Sequence, residues 1–247
     1  MKVEQLKQFH FAALAGIGLM LGGCAATQTA IEHRNLEATT QMDESVFLEP
    51  VGNSQKKIFI SIKNTTTEKV NVAQPLAEAL KQEGYKVISS PTAAHYLLQA
   101  EIKSVGKMSQ SASASALGGG YGSALAGAAT GAAFGSFGNT NTTIGGGIAG
   151  GLIGLAADSL VKNVNYTMIT DVQISERLAA GVKVKEQFSA NLSSGNASNT
   201  HQTYTSDSQY RRYRVRVIST ANKVNLSYVQ AKPVLEQGLV TKLAGIF

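Results

Sequence analysis

From Met108 to Ala157 the chain carries no Asp, Glu, Lys or Arg. At 15% charged residues overall, a stretch of that length should hold seven or eight, so its composition marks a distinct environment. Glycine gathers there as well, with 14 of the 25 falling between Gly118 and Gly154. Two apolar pieces, Ala116–Phe137 and Ile144–Val161, flank the polar run Gly138–Thr143. As helices they would measure about 33 and 27 Å, which brackets the hydrocarbon thickness of a bilayer.

Small residues recur at four-residue spacing in both pieces. Gly127, Gly131 and Gly135 form one row, and Gly146, Gly150 and Gly154 another. On a helix such a row is a flat groove that lets a second backbone approach closely, which matters where lipid gives no hydrophobic drive to associate. The bulky residues are few, so the segment is too weakly apolar to be stopped at an inner-membrane translocon. The expectation is a membrane-inserting helical hairpin, stable only when many copies pack through their glycine rows in a ring-like homo-oligomer. A flexible linker and a helical hairpin buried in protein remain the alternatives. Gly145–Gly150 fits GxGxxG, but the residues before it read as a turn rather than the strand a dinucleotide fold requires.

The start of the chain reads as an export signal. Lys2 and Lys7 precede the apolar run Phe9–Gly22, which is too short to span a bilayer comfortably. It ends in Leu21-Gly22-Gly23-Cys24, which resembles a bacterial lipobox with cleavage between Gly23 and Cys24. Cys24 is the single cysteine, so no disulfide within the chain and no cysteine-based zinc site is available. The expected modification is an S-diacylglycerol and an N-acyl chain on Cys24. At about 0.8 kcal/mol per buried methylene, these hold a protein to lipid essentially permanently. Ala25 in place of Asp goes with transfer to the outer membrane. No other cofactor and no metal site is expected. Removing residues 1–23 takes the net charge from +6 to about +5, a balance too modest to indicate nucleic acid.

The flanks read as one α+β domain, a single mixed α/β unit built from residues 46–107 and 163–247 and interrupted by the hairpin at 108–162, with 24–45 as an acylated tether. Lys57–Lys63 alternates as a strand; Val72, Leu76 and Leu80 share a helical face that Gly84 closes. Tyr85–Ile88 and the alternation Tyr96, Leu98, Ala100, Ile102 predict two more strands. Beyond the tract, strands are expected around Tyr166–Ile174, Val182–Phe188 and Tyr213–Val217. Ser189–Ser208 reads as a loop or a long hairpin tip, and Val234–Phe247 as a helix.

Arg212, Arg214 and Arg216 alternate along one strand, so three guanidinium groups about 7 Å apart could meet an anionic partner such as lipopolysaccharide phosphate. A solvated strand face, or one matched to acids of a neighbouring subunit, is the plainer reading. No catalytic set stands out: His95 and His201 are far apart, and Asp171 has no evident partner in the sequence. Asp158 marks a water boundary rather than an acid within the membrane. The chain is read as a non-enzyme.

Several blocks resemble a known family. The lipobox at Cys24, Arg34–Glu37, Val164–Ile174, Ala221–Leu226 and Ala231–Glu236 are closely similar to the TraT family. These are the surface-exclusion and complement-resistance lipoproteins of F-like conjugative plasmids. The resemblance runs the length of the mature chain and is weakest around Ser109–Ser115 and Glu186–Arg212. It implies a surface-exposed, oligomeric outer-membrane protein that hinders mating with donors carrying a like plasmid and is linked to serum resistance. Its partners would be outer-membrane lipid, further copies of itself, and the donor cell's mating apparatus or surface proteins. The small polar turn Asn139, Thr140, Asn141 and Thr142 is then a candidate for partner specificity. An oligomeric pore or export channel, and a structural lipoprotein that shields the surface, remain the alternative functions.

Overall fold

The computed structural model describes residues 33–123, 125, 162–179, 181–182, 184–194 and 198–247, with backbone alone for 186–206. Among the described residues, eight strands and three α-helices follow one another. β1 (Glu37–Met42) and β2 (Lys57–Asn64) precede helix α1 (Ala73–Gln82), β3 (Lys86–Val87) and β4 (Tyr96–Lys107). Helix α2 (Gln110–Gly118) lies at the start of the uncharged tract. After it come β5 (Asn163–Arg177), β6 (Val184–Ser194), β7 (Ser198–Ser208), β8 (Tyr210–Val224) and helix α3 (Tyr228–Ala244).

Six strands form one sheet in the order β1-β8-β5-β4-β2-β3. β4 from before the tract pairs antiparallel with β5 from after it, so the two flanks share one sheet. Even-numbered positions of β2, of β4 as far as Ile102 and of β5, with odd-numbered positions of β8, line one face. Ile58, Leu98, Ile174 and Val217 on that face are fully buried. Leu76 and Leu80 of α1, with Leu235, Leu239 and Leu243 of α3, close over them as a single apolar cluster. Each such side chain removed from water contributes about 1.5–3 kcal/mol, which makes this two-layer packing the main source of stability.

Local signals set the helix ends. Gly84 takes φ +85°, a left-handed conformation that glycine adopts without a Cβ penalty, and the Gly84 and Tyr85 amides donate to Lys81 and Leu80 carbonyls. α3 begins a turn and a half before the expected Val234. Ser227 and Gln230 form a reciprocal capping box, and Pro233 is carried inside the helix.

One expectation does not hold, and another settles between its two alternatives. The tether placed at 24–45 contains a strand: β1 pairs antiparallel with β8 from Glu37↔Asn222 to Met42↔Val217. Its residues Ala38, Thr39 and Thr40 are short enough to lie along a sheet edge beneath α3. Ser189–Ser208, read as a loop or a long hairpin tip, is the outer part of the β6–β7 hairpin, paired from Ser189↔Thr203 to Ser194↔Ser198. The glycine rows, the turn Asn139–Thr142, the Gly145–Gly150 match, Asp158 and Cys24 lie outside the described residues. Among those described, no helix is long and apolar enough to cross a membrane.

α3 crosses β1 at Gly238, where an added Cβ would collide with Thr40 Oγ1. That hydroxyl is already committed to Ser219 Oγ at 3.0 Å. Gly238→Ala should therefore destabilise the protein by about 1–3 kcal/mol despite alanine's better helix propensity. In a Thr40→Ala background most of that penalty should vanish, as thermal unfolding of the four-member cycle would record.

Candidate functional site

The uncharged tract must leave the sheet and return to it, and both junctions are built from polar contacts. Register places Asp171 of β5 directly opposite Arg216 of β8, on the face away from the apolar core. Both are buried, with Arg216 at 0% exposure and Asp171 at 6%. Arg216 Nε donates to Asp171 Oδ1 at 2.7 Å and Nη2 to Oδ2 at 3.0 Å, the two-pronged geometry that suits a planar guanidinium.

The remaining donors reach the root of the tract. Nη1 donates to the Ala116 carbonyl at 3.2 Å and to Ser123 Oγ, and Nη2 donates to the Ser123 carbonyl at 3.1 Å. Asp171 Oδ2 in turn accepts from the Gly122 amide at 3.1 Å. Asp43, just past β1, accepts from the Arg216 backbone amide at 2.7 Å. A buried charge is tolerated only when its hydrogen bonds are satisfied, and here α2 and the turn after it supply the missing acceptors.

α2 docks on the same face through hydroxyls rather than grease. Ser109 caps it by accepting from the Ala112 amide at 3.1 Å. Ser113, the one buried residue of the helix, pairs its hydroxyl with that of Thr167 at 2.8 Å. Asn165 Nδ2 donates to the Met108 carbonyl at 2.9 Å. The helix stops at Gly118, and Gly120 and Gly122 take φ +68° and +73°. The expected helix Ala116–Phe137 is thus interrupted near its start. Its first residues finish α2, and left-handed glycines turn the chain so that Arg216 can hold the carbonyls.

The return junction lies at the far end of β8, about 27 Å along the strand from Arg216. Asn225 adopts φ 53°, tolerated by asparagine. Its amide donates to the Lys162 carbonyl at 2.8 Å while its side-chain oxygen accepts from the Lys162 amide at 3.0 Å. The adjacent Val224 amide donates to the His33 carbonyl at 2.9 Å. The chain leading from Cys24 and the chain leaving the tract therefore meet the sheet at one corner.

The three alternating arginines do not act as one face. Arg216 is sealed beneath the tract's root, which corrects its assignment to an open anionic site. Arg212 and Arg214 are exposed. Arg214 belongs to a ladder across three strands, with Arg214 Nε donating to Gln173 at 2.9 Å and Gln173 donating to Gln99 at 3.2 Å. Its guanidinium also lies 5.9 Å from the Tyr121 ring centroid. Asp171, unpartnered in the sequence, is the acid of the buried pair.

A second polar cluster closes the opposite end of the sheet. Glu176, at 3% exposure, accepts from the Glu49 amide at 3.1 Å and from the Tyr213 hydroxyl at 3.2 Å, and Arg211 lies 3.7 Å away. Tyr96, ringed by Tyr85, His95 and Phe247, donates to the Glu49 carbonyl at 2.9 Å. Burial, aided by Glu176, raises the Tyr96 hydroxyl far above its usual value. Burial pushes His95 down against the opposing pull of Glu176. Among the described residues, no group of three or more His, Cys, Asp or Glu could hold a metal ion.

Arg216→Met should cost about 3–5 kcal/mol, because it strands a buried carboxylate. Joined with Asp171→Leu it should recover much of that stability but still release the 119–125 turn. Limited proteolysis there, beside thermal unfolding in detergent, separates the two effects.

Comparison with known proteins places these features in a family. A family model described as the enterobacterial TraT complement resistance protein matches residues 35–247. A TraT complement resistance protein of Escherichia coli is 42% identical over 98% of this chain and 99% of its own. One from strain K12 is 43% identical over 97% and 98%. A relative of the same description from Wigglesworthia glossinidia brevipalpis is 25% identical over 98% of each chain. Among solved structures, a PelC dodecamer from Paraburkholderia phytofirmans aligns with 85% of this chain and 97% of its own. The identity is 9% and the TM-score 0.32, a likeness too slight to bear on function.

Proposed function

This chain belongs to the TraT complement resistance family, and from that premise we propose that it is an outer-membrane lipoprotein which protects the cell surface against complement and mediates surface exclusion. Complement resistance is the activity the family carries in its description. Surface exclusion, the hindrance of mating with donors of a like plasmid, is the finer reading. It draws on a lipid-anchored assembly that presents the Asn139–Thr142 turn at one membrane face.

The observation that carries this reading is the shared corner at Asn225, where the segment from Cys24 and the return of the uncharged tract join the sheet together. Two membrane-directed segments rooted at one corner direct the same side of the domain toward lipid. Rooting by hydrogen bonds suits a tract that must leave the domain and enter a bilayer, since an apolar root would compete with lipid for the same surface. The glycine rows then supply the close helix contacts between copies. Acyl chains on Cys24 are the only prosthetic groups in this reading, and nucleic acid has no place in it.

Cys24→Ala should abolish lipid labelling and transfer to the outer membrane, read by membrane fractionation, and lower survival in serum at least tenfold against the parent. Exchanging Asn139–Thr142 for a relative's residues should change which donors are excluded while leaving serum survival intact. Unchanged exclusion would remove the turn from the mechanism. The detergent-extracted parent should migrate as a multi-subunit particle; a monomer would count against assembly through the glycine rows.

A further inference from the structure

β6 and β7 form a two-stranded sheet of their own. The β5–β8 ladder ends at Arg177↔Tyr210, the Leu178 amide donates to the Gln209 carbonyl, and pairing resumes at Val184↔Ser208. The ribbon is thus an arm that continues the two central strands beyond the sheet for eleven residues on each side, about 37 Å. Neither strand pairs with another strand among the described residues. An isolated two-stranded ribbon is at best marginally stable in water, and both of its outer edges offer unpaired backbone N–H and C=O groups.

Register sorts the arm's residues onto two unlike faces. Phe188 stands opposite Tyr204, and Val184, Ala190 and Leu192 of β6 fall at positions of the same parity, with Glu186 and Ser194 among them and with polar residues opposite on β7. The other parity is polar throughout, from Lys185↔Asp207 to Ser193↔Asn199. β6 thus alternates in the manner of a strand within a half-covered antiparallel sheet, while β7 adds Tyr204 alone. The edges are also opposite in charge at the arm's base, where β6 carries Lys185 and β7 carries Asp207.

We propose that the arm pairs edge to edge with the arms of further copies of this chain. β7 of one subunit would lie beside β6 of the next in the arm's own register. Two geometric reasons select a second copy as the partner. Rotation about a ring axis keeps each arm's direction along that axis, so β7 meets the neighbouring β6 antiparallel, the same relation they have within one arm. The same rotation brings Lys185 of one arm and Asp207 of the next to the same end of each junction, so unlike charges gather at the arm's base. Each subunit then offers one donor and one acceptor edge, and only closure leaves none open. This inference rests on the oligomeric reading above.

Full-length chains bearing Gln187→Cys and chains bearing Thr205→Cys, carrying different tags, would be co-expressed and mildly oxidised in membranes. Asn191→Cys with His201→Cys would serve as a second pair. Each chain carries only one of the two strands' new thiols, so any bond between the tags joins two subunits. The parent, with Cys24 alone, sets the background. The expected result is mixed dimers at least fivefold above each variant oxidised with itself. A native particle of oligomeric mass without mixed dimers at either pair would overturn the edge pairing alone. Dimers formed mainly like with like would also overturn it. A monomeric native mass would overturn both this pairing and the oligomeric reading beneath it.

Discussion

The pairing of Arg216 with Asp171 sets the conditions under which the rest of the structure can exist. A guanidinium with no solvent exposure needs every donor satisfied, and those acceptors come from β5, from the end of α2 and from the turn after it. Slipping β5 against β8 by one residue would carry Arg216 to the face packed by α1 and α3, where no acceptor waits. The ion pair is thus weak as a source of net stability and strong as a selector of register. It fixes the two central strands and, through them, the point at which the uncharged tract departs.

Much of the fold was legible because one physical rule dominates it. Ile58, Ile60 and Ile62, then Tyr96, Leu98, Ala100 and Ile102, alternate because one side of the sheet is buried, and strands followed those runs. Leu76 and Leu80 face the core as their spacing requires. β1 has no alternating apolar pattern to mark it, since Glu37–Met42 (EATTQM) is mostly polar, and an edge strand under a helix needs little apolar alternation. The early start of α3 had a readable signal, Ser227 with Gln230 three residues on. Apolar spacing from Leu235 onward marks the later turns of the helix and says nothing of the first, which carry Pro233.

The site was legible in composition and hidden in its contacts. Absence of charge over fifty residues marked where the chain does something unusual. That Arg216 turns inward while Arg212 and Arg214 stay exposed depends on α2 covering only part of that face, and a strand's alternation cannot report which of its like residues is covered. Asp171 and Arg216 are separated by 45 residues along the chain, so no local pattern joins them. Their meeting is a property of the sheet.

The bond from Val224 to His33 has a mechanical corollary. Only eight residues, 25–32, lie between Cys24 and that fixed point, and a chain of that length stretches to about 30 Å at most. With lipid on Cys24, so short a lead would act as a tie rod: the domain could swivel about its mooring but could not climb more than one bilayer thickness from it. Neighbours so moored would meet at a common height, already confined to two dimensions, which removes much of the translational entropy that otherwise opposes association.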